Sequence, residues 1–187
     1  MKLNEITRIA EYEPNASKLL SVLKSTNRRQ IDTFENRPVY MTPVGDQIVY
    51  DVDGKALVVG STTQVATLSV FKIRYTYVVD EFRQKGFATI LYKCLAMSQR
   101  LNIVSDSLMT HGSIKLWAGL IKSSSNIKRL NLTTQEITDI QSIQSVINND
   151  DDVVLIWINS GRPKIPSSDI VEQAVHYTSK DQEGLWE

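Results

Sequence analysis

The chain has 187 residues, and its 21 basic and 21 acidic side chains cancel, so the overall field gives no support for an electrostatically driven nucleic-acid binder. The single cysteine, Cys94, excludes an internal disulfide and a multi-cysteine zinc site. The amino terminus lacks a secretory signal, and no apolar stretch approaches the ~20 residues of a membrane span. We therefore expect a cytoplasmic protein with one domain over residues 1–160 and an irregular tail over residues 161–187.

The first predicted elements are a strand over residues 2–12 and a helix that begins near Pro14. The segments 47–52 and 55–60 flank Asp53-Gly54, a strong signal for a hairpin, so two antiparallel strands are expected there. Over residues 65–79, β-branched and aromatic side chains recur with a period of two, which predicts one long strand.

The run from Tyr77 to Tyr92 is the most informative part of the chain, because it joins that strand to a helix through a basic glycine loop. Apolar side chains recur at helical spacing over about three turns, at Phe87, Ile90, Leu91, Cys94 and Leu95. The first amides of a helix have no acceptor inside the helix, and its dipole is positive at that end. Gly86 and Ala88 leave space there, and Arg83 and Lys85 add charge. The loop therefore predicts a phosphate site.

Five further elements complete the predicted fold. They are a short strand at 103–105, a helix at 112–122, strands at 130–133 and 153–158, and an extra helix over 134–147 before the last strand. The apolar stripe that predicts the extra helix consists of Ile137, Ile140, Ile143, Val146 and Ile147.

Arg83, Gly86 and Ala88 match the signature of the GNAT superfamily of acyl-CoA-dependent N-acyltransferases, which is Arg or Gln, two residues, Gly, one residue, then Gly or Ala. The order of predicted elements also resembles that family. The resemblance implies an α/β, single-domain GNAT fold, with a mixed central sheet flanked by helices. The extra helix before the last strand departs from the family pattern.

The resemblance implies acetyl-CoA as co-substrate. It implies that the signature strand and the next strand splay apart, and that the pantetheine arm enters between them, held by the backbone of Val78 and Val79. The pyrophosphate is expected on the loop and the first helical turn, at Arg83, Gln84, Lys85, Gly86, Phe87, Ala88 and Thr89.

The catalytic groups are less clearly marked. Many relatives use a Tyr in the second helix as the acid for the departing thiolate, but Trp117 occupies the corresponding place, and indole cannot do that work. His111, Asp106 and Tyr77 are the candidates for proton transfer or for binding the acceptor amine. Each has a structural alternative: a histidine bonded to backbone near a helix start, a turn residue and a core aromatic.

The resemblance implies direct transfer of an acetyl group to an amine of an unknown acceptor, without a metal. A second interpretation is a catalytically inactive GNAT-like binding or inhibitory module of viral origin, because fold alone does not fix function. A third is a nucleobase-modifying relative, which the neutral charge balance disfavours. The segment from Ser105 to Trp117 resembles phage-encoded members of the superfamily, which implies the host cytoplasm as the place of action.

Overall fold

The computed structural model describes residues 28–44, 46–65, 67–107, 109–140, 142–147 and 152–159. The strand predicted at 2–12, the helix predicted from Pro14 and the predicted tail at 161–187 lie outside these residues. The described part is an α/β structure with one mixed sheet. Its strands are β1 (Arg29–Phe34), β2 (Arg37–Val44), β3 (Gln47–Val52), β4 (Ala56–Val65), β5 (Leu68–Val78), β6 (Asn102–Val104), β7 (Ile127–Asn131), β8 (Ile137–Asp139) and β9 (Val153–Trp157).

Three helices accompany the sheet in the described residues. They are α1 (Phe87–Lys93), which continues as a π-helical turn (Cys94–Ser98), then α2 (His111–Ser123) and the one-turn α3 (Gln144–Ile147). A short 3₁₀ turn (Asp80–Phe82) connects β5 to the loop before α1. None of the helices in the described ranges is long and apolar enough to cross a membrane.

The strand order across the sheet is β1-β2-β3-β4-β5-β6-β9-β7-β8. Within the described sheet, β5 and β6 form the parallel pair, and every other neighbouring pair is antiparallel. A parallel pair needs a crossover connection, and α1 with its π-helical turn supplies it. The sheet therefore changes character at β5, which is the strand that leads into the basic loop.

Two hairpins of the antiparallel half have turn residues with positive φ. The hairpin predicted at Asp53-Gly54 is confirmed: both residues have positive φ, and β3 pairs antiparallel with β4. The β1–β2 hairpin was not predicted from the sequence. Its turn residues, Glu35 and Asn36, also have positive φ, but their sequence lacks the glycine that usually marks such a turn.

The predicted strand at 65–79 is observed in part, because β4 ends at Val65 and β5 begins at Leu68. A β-bulge interrupts the pairing of β4 with β5: Val59 pairs with Tyr75 and Gly60 pairs with Ile73, so Arg74 is the extra residue. A bulge bends and twists its strand and inverts the alternation of side chains beyond it. Ile73 consequently packs with the core beneath α1, whereas Tyr75 packs on the opposite face.

The signature helix also differs from its predicted regularity. Its second half winds as a π-helical turn, in which the Gln99 amide donates to the Cys94 carbonyl at 2.9 Å. The wider turn rotates Gln99 inward, so this side chain is buried instead of facing water. The Asp32 carboxylate on β1 accepts hydrogen bonds from the side-chain amide of Gln99 at 2.8 Å and from the Ser98 hydroxyl. The π-helical turn is thus bonded directly to the edge of the sheet.

The extra helix predicted over 134–147 is wrong in its first half. That segment forms strand β8, which pairs with β7, and only Gln144–Ile147 is helical. The Asn131 side chain accepts the amides of Thr133 and Thr134, and Gln135 has positive φ, so a turn forms where the helix was expected to begin. The apolar stripe divides between the two faces of the sheet, since Ile137 lies on one and Ile140 and Ile143 lie on the other.

The main core lies between the sheet and the face of α1 and α2 that packs on it. Trp117 of α2 and Tyr92 of α1 are both almost fully buried there. The opposite face carries separate apolar clusters, one of which contains Val49, Leu57 and Val59. We call the α1 side the helix face and the other side the second face.

One charged group is buried within the sheet. Asp51 of β3 has no exposed surface, and its Oδ1 accepts hydrogen bonds from Arg28 at 2.7 Å and from the Gly54 amide at 3.1 Å. Burial is the largest influence on this carboxyl and raises its pKa, and the charge of Arg28 opposes that rise. Asp51 therefore holds the β3–β4 turn at an electrostatic cost.

Candidate functional site

The parallel strands β5 and β6 part shortly after they meet. Their ladder contains the pairs from Val70–Asn102 to Lys72–Val104, whereas β5 continues to Val78. The bulge at Arg74 follows the last paired residue of β5, and the bend that it introduces is a physical reason for the separation. We call the region between the end of this ladder and the end of β5 the β5–β6 divergence.

Each strand leaves the ladder bonded to its other neighbour. On one side, the Val79 amide donates to the Lys55 carbonyl at 2.9 Å, which keeps the end of β5 against β4. On the other side, the Ser105 amide donates to the Leu155 carbonyl at 2.9 Å, and the Ser105 hydroxyl accepts the Leu155 amide at 3.0 Å. Beyond the ladder, Val79 and Ser105 are therefore each bonded to the outer neighbour of their own strand.

The same bonds decide which backbone groups face the divergence. Antiparallel pairing alternates, so the residues on either side of a hydrogen-bonded pair direct their amides and carbonyls away from the partner strand. Because Val79 is bonded to Lys55, Thr76 and Val78 direct these groups toward the β6 side. The Val78 carbonyl also accepts a long contact of 3.4 Å from Arg83 Nε. Of the two residues predicted to hold a pantetheine arm, Val78 has this orientation, and the Val79 amide is already bonded.

The loop after β5 leads directly to the start of α1. Gln84 and Gly86 both have positive φ, and Gly86 is the residue that precedes the helix. The Ile90 amide donates to the Gly86 carbonyl at 3.0 Å, so the amides of Phe87, Ala88 and Thr89 lie in the first turn, where a helix offers no acceptor. No side chain among the described residues caps this end of α1. A Cβ added at Gly86 meets nothing within 4 Å, so the space beside this residue is open.

The predicted cations lie beside this loop. Arg83 pairs with Asp80 at 2.8 Å, but both side chains are largely exposed, and such a pair exchanges readily for another anion. Lys85 Nζ lies 5.4 Å from the centre of the Phe82 ring. Gln84, which belongs to the same loop, is exposed and uncharged.

Two further cations, which local sequence patterns could not place here, come from β2 and from the turn between β3 and β4. Arg37 of β2 stacks on the Phe87 ring at 4.4 Å, and Lys55 lies over the rings of Phe82 and Phe87 at 5.1 and 5.5 Å. The two rings pack edge to face with centroids 5.5 Å apart. No local pattern indicates this contact, because it depends on the β2–β3–β4 pairing. The Phe87 side chain is buried, so a ligand at this loop can contact Phe87 through its backbone amide.

The three catalytic candidates lie on different elements, and two of them lie on opposite faces of the sheet. Tyr77 packs on the second face with Val49 and Leu57, whereas His111 is the first residue of α2 on the helix face and is exposed. Asp106 follows Ser105 after β6, and its Oδ1 accepts a long contact of 3.5 Å from the Ser107 hydroxyl. The sheet therefore separates Tyr77 from His111. Asp106 lies between these two residues in the sequence, in the segment that connects β6 to α2.

Trp117, which occupies the place of the expected acid, is part of the core. It is 1% exposed, and its ring meets the Tyr92 ring edge to face at 5.5 Å. The Tyr92 hydroxyl in turn lies 2.8 Å from Thr76 Oγ1. Burial is the main cause that raises the pKa of Tyr92, the Thr76 hydrogen bond opposes it, and the charge of Asp106 adds to the rise. A phenol thus reaches the divergence from α1.

No protein-family model matches the chain, and no curated protein shows significant similarity to it. The functional argument consequently depends on the residues and on their arrangement.

Proposed function

We propose that this chain is an acyl-CoA-dependent N-acyltransferase with a GNAT fold, which transfers an acetyl group directly from acetyl-CoA to an amine. The observation that carries the proposal is the β5–β6 divergence beside an uncapped helix start. Between them they offer an extended backbone edge for an amide-containing arm and free amides for a pyrophosphate. The acceptor remains open, and we propose the cytoplasm as the place of reaction.

The sheet supports the fold proposed from the sequence resemblance. A single parallel pair in an otherwise antiparallel described sheet, connected through the signature loop and α1, agrees with the predicted order of elements. The separation of the signature strand from its neighbour was also expected from that resemblance. β1, β2 and β8 are additions to the predicted pattern.

The charges support an anionic ligand. Lys85, Arg37 and Lys55 converge on the two phenylalanine rings next to the amides of the first turn, and Arg83 lies in the same loop. Asp80 pairs with Arg83 and Asp53 pairs with Lys55, so these two carboxylates partly offset the positive charge. A pyrophosphate accepts hydrogen bonds from the amides and from bidentate arginine at the same time. In the proposed arrangement the acyl-CoA phosphates lie on the loop, and its arm passes Val78 and Thr76 toward the bulge.

The burial of Trp117 favours a second candidate function, a GNAT-like binding or inhibitory module without turnover. Such a module has no need for a group that stabilises a departing thiolate. The two candidates differ in an observable way: a transferase releases CoA thiol, whereas the module does not.

Two measurements test the proposal. Calorimetry with acetyl-CoA should detect binding to the wild type and none to Gly86→Glu, because the carboxylate lies beside the helix amides. Gly119→Glu controls for added bulk and charge, since Gly119 is an exposed glycine of α2 whose added Cβ also meets nothing within 4 Å. Gly86→Ala controls for the strain of a side chain at the positive φ of Gly86. Thiol release from acetyl-CoA with a panel of amines should be lost in Gly86→Glu and retained in Gly119→Glu. A well-folded wild type that binds no acetyl-CoA at millimolar concentration contradicts the coenzyme assignment. Binding without thiol release across the panel favours the module.

A further inference from the structure

Acyl transfer from a thioester leaves a thiolate, and this leaving group is stabilised by a hydrogen-bond donor close to the sulfur. The ring of Trp117 is buried and its indole offers no transferable proton, so the donor has to come from another element. The part of β5 beyond the ladder is where the proposed function puts the thioester. The relevant question is which hydroxyl the fold brings there.

Thr76 lies in that part of β5. It pairs with Val58, whose side chain belongs to the core beneath α1, so the Thr76 side chain is on the helix face. Its backbone groups are directed toward β6, as shown above, and its side chain is partly exposed. An arm that descends from the start of α1 along β5 therefore meets both the backbone and the hydroxyl of Thr76 after it passes Val78.

Tyr92 of α1 forms a hydrogen bond with the Thr76 hydroxyl from the helix face. Its own hydroxyl lies 2.8 Å from Thr76 Oγ1, and its ring is held edge to face against Trp117. Tyr92 is almost fully buried, so its hydroxyl cannot rotate to another solvent partner. If the Tyr92 hydroxyl donates to Thr76 Oγ1, the hydrogen of the Thr76 hydroxyl is left to point away from α1 and into the divergence.

Burial, the largest influence, raises the pKa of Tyr92, the Thr76 hydrogen bond opposes that rise, and the charge of Asp106 adds to it. The phenol therefore keeps its proton, and in the proposed arrangement it donates this proton's hydrogen bond to Thr76 Oγ1. The bond from Tyr92 also polarises the Thr76 hydroxyl, since linked hydrogen bonds strengthen each other.

We propose that the Thr76 hydroxyl is the catalytic hydrogen-bond donor to the departing CoA sulfur, and that Tyr92 is the positioning residue that orients it. In this step the amine nitrogen forms the C–N bond, the C–S bond breaks, and the sulfur leaves with the electron pair. The proton lost by the amine passes to a base on the acceptor side, for which Asp106 and His111 are the candidates, and water protonates the thiolate after the Thr76 hydroxyl has stabilised it. This inference rests on the proposed function, because it takes the thioester to lie in the divergence.

The test measures the acidity of the CoA thiol when CoA is bound. The ultraviolet absorbance of the thiolate is followed against pH for CoA in complex with wild type, Thr76→Val, Thr76→Ser and Tyr92→Phe, and acetyl-CoA affinity is measured by calorimetry. Wild type should lower the thiol pKa of bound CoA by about one unit, which corresponds to a tenfold preference for thiolate. Thr76→Val, which keeps the shape but loses the hydroxyl, should abolish the preference, and Thr76→Ser should restore it. Tyr92→Phe should weaken it. Acetyl-CoA affinity should change less than about twofold in all three variants, because the thioester carries no charge.

The outcomes separate the two proposals. An unchanged thiol pKa in Thr76→Val, with CoA still bound, overturns the role of Thr76 and leaves the coenzyme site intact. Failure of wild type to bind CoA overturns the proposed function and this inference with it. Thr62→Val, on an exposed position of β4, controls for loss of a strand hydroxyl elsewhere and should leave the thiol pKa as in wild type. Should Tyr92→Phe fail to fold, the comparison of Thr76→Val with Thr76→Ser still decides.

Discussion

Gly60 lies opposite the bulge in β5, and its replacement by alanine tests how closely the two strands pack at the bulge. A Cβ at Gly60 would lie 2.3 Å from the Lys72 carbonyl oxygen and 2.7 Å from Phe71 Cζ. Ordinary contact begins at 3.4 Å, so the Lys72 carbonyl must retreat by about 1 Å. The clashing atom of Lys72 is a backbone oxygen, and Lys72 forms the last pair of the ladder with β6. A side-chain rotation therefore cannot relieve the strain.

The cost of such overpacking reaches the upper part of the usual range, about 3 kcal/mol. For a chain of this size, about 3 kcal/mol corresponds to a fall in Tm of roughly 6–12 °C. Thermal unfolding followed by circular dichroism measures it. Gly119→Ala is the control: the site is open, and alanine in the interior of a helix should stabilise by about 0.5–1 kcal/mol. A Gly60→Ala protein that melts within about 2 °C of wild type would refute the close packing at the bulge.

Two further predictions concern charged groups. With an acceptor identified from the amine panel, Asp106→Asn or His111→Ala should lower kcat by about 10²-fold and leave the affinity for acetyl-CoA unchanged. Steady-state kinetics measures kcat, and calorimetry measures the affinity. An unchanged kcat in both variants excludes both residues from proton transfer. Asp51 has a pKa raised above its usual 3.8, so its contribution to the free energy of unfolding is fully present below that pH and is lost as the pH rises through the folded-state pKa. In urea titrations, Asp51→Asn should therefore reduce the fall in the free energy of unfolding above about pH 4. Asp139→Asn, at a side chain that is 85% exposed, should not reduce it. Parallel pH profiles of the free energy of unfolding for wild type and Asp51→Asn contradict the cost assigned to burial.

The sequence predicted the elements that local patterns encode. The Asp53-Gly54 hairpin and the helix at 111–123 form where turn residues and helical spacing indicated, and so does the last strand. The short strand after the signature helix is also present, displaced by one residue at each end. These elements are specified by neighbours in the chain, so the pattern suffices.

The departures arise where long-range contacts outweigh the local pattern. The period of two at 65–79 cannot reveal a bulge, because the bulge depends on Gly60 in the partner strand. Likewise, the helical spacing of Ile137, Ile140 and Ile143 competes with an edge position beside β7, and the strand wins for the first of them.

The candidate site shows the same division. The loop from Arg83 to Gly86 was evident from its residues, whereas Arg37 and Lys55 reach it only through the order of the strands. The contact of Tyr92 with Thr76 could not be predicted either, because the helical spacing of α1 places Tyr92 in the core without indicating its partner on β5.

The account depends most on where an acyl-CoA binds, and an amide-resolved NMR titration of the wild type with CoA tests that location directly. We expect the largest shifts at the amides of residues 86–89, where the phosphates bind, and at Thr76 and Val78, along the path of the arm. The amide of Val79, which is bonded to Lys55, should move less than that of Val78. Shifts confined to the second face, or saturation without change at residues 86–89, would contradict the proposed site.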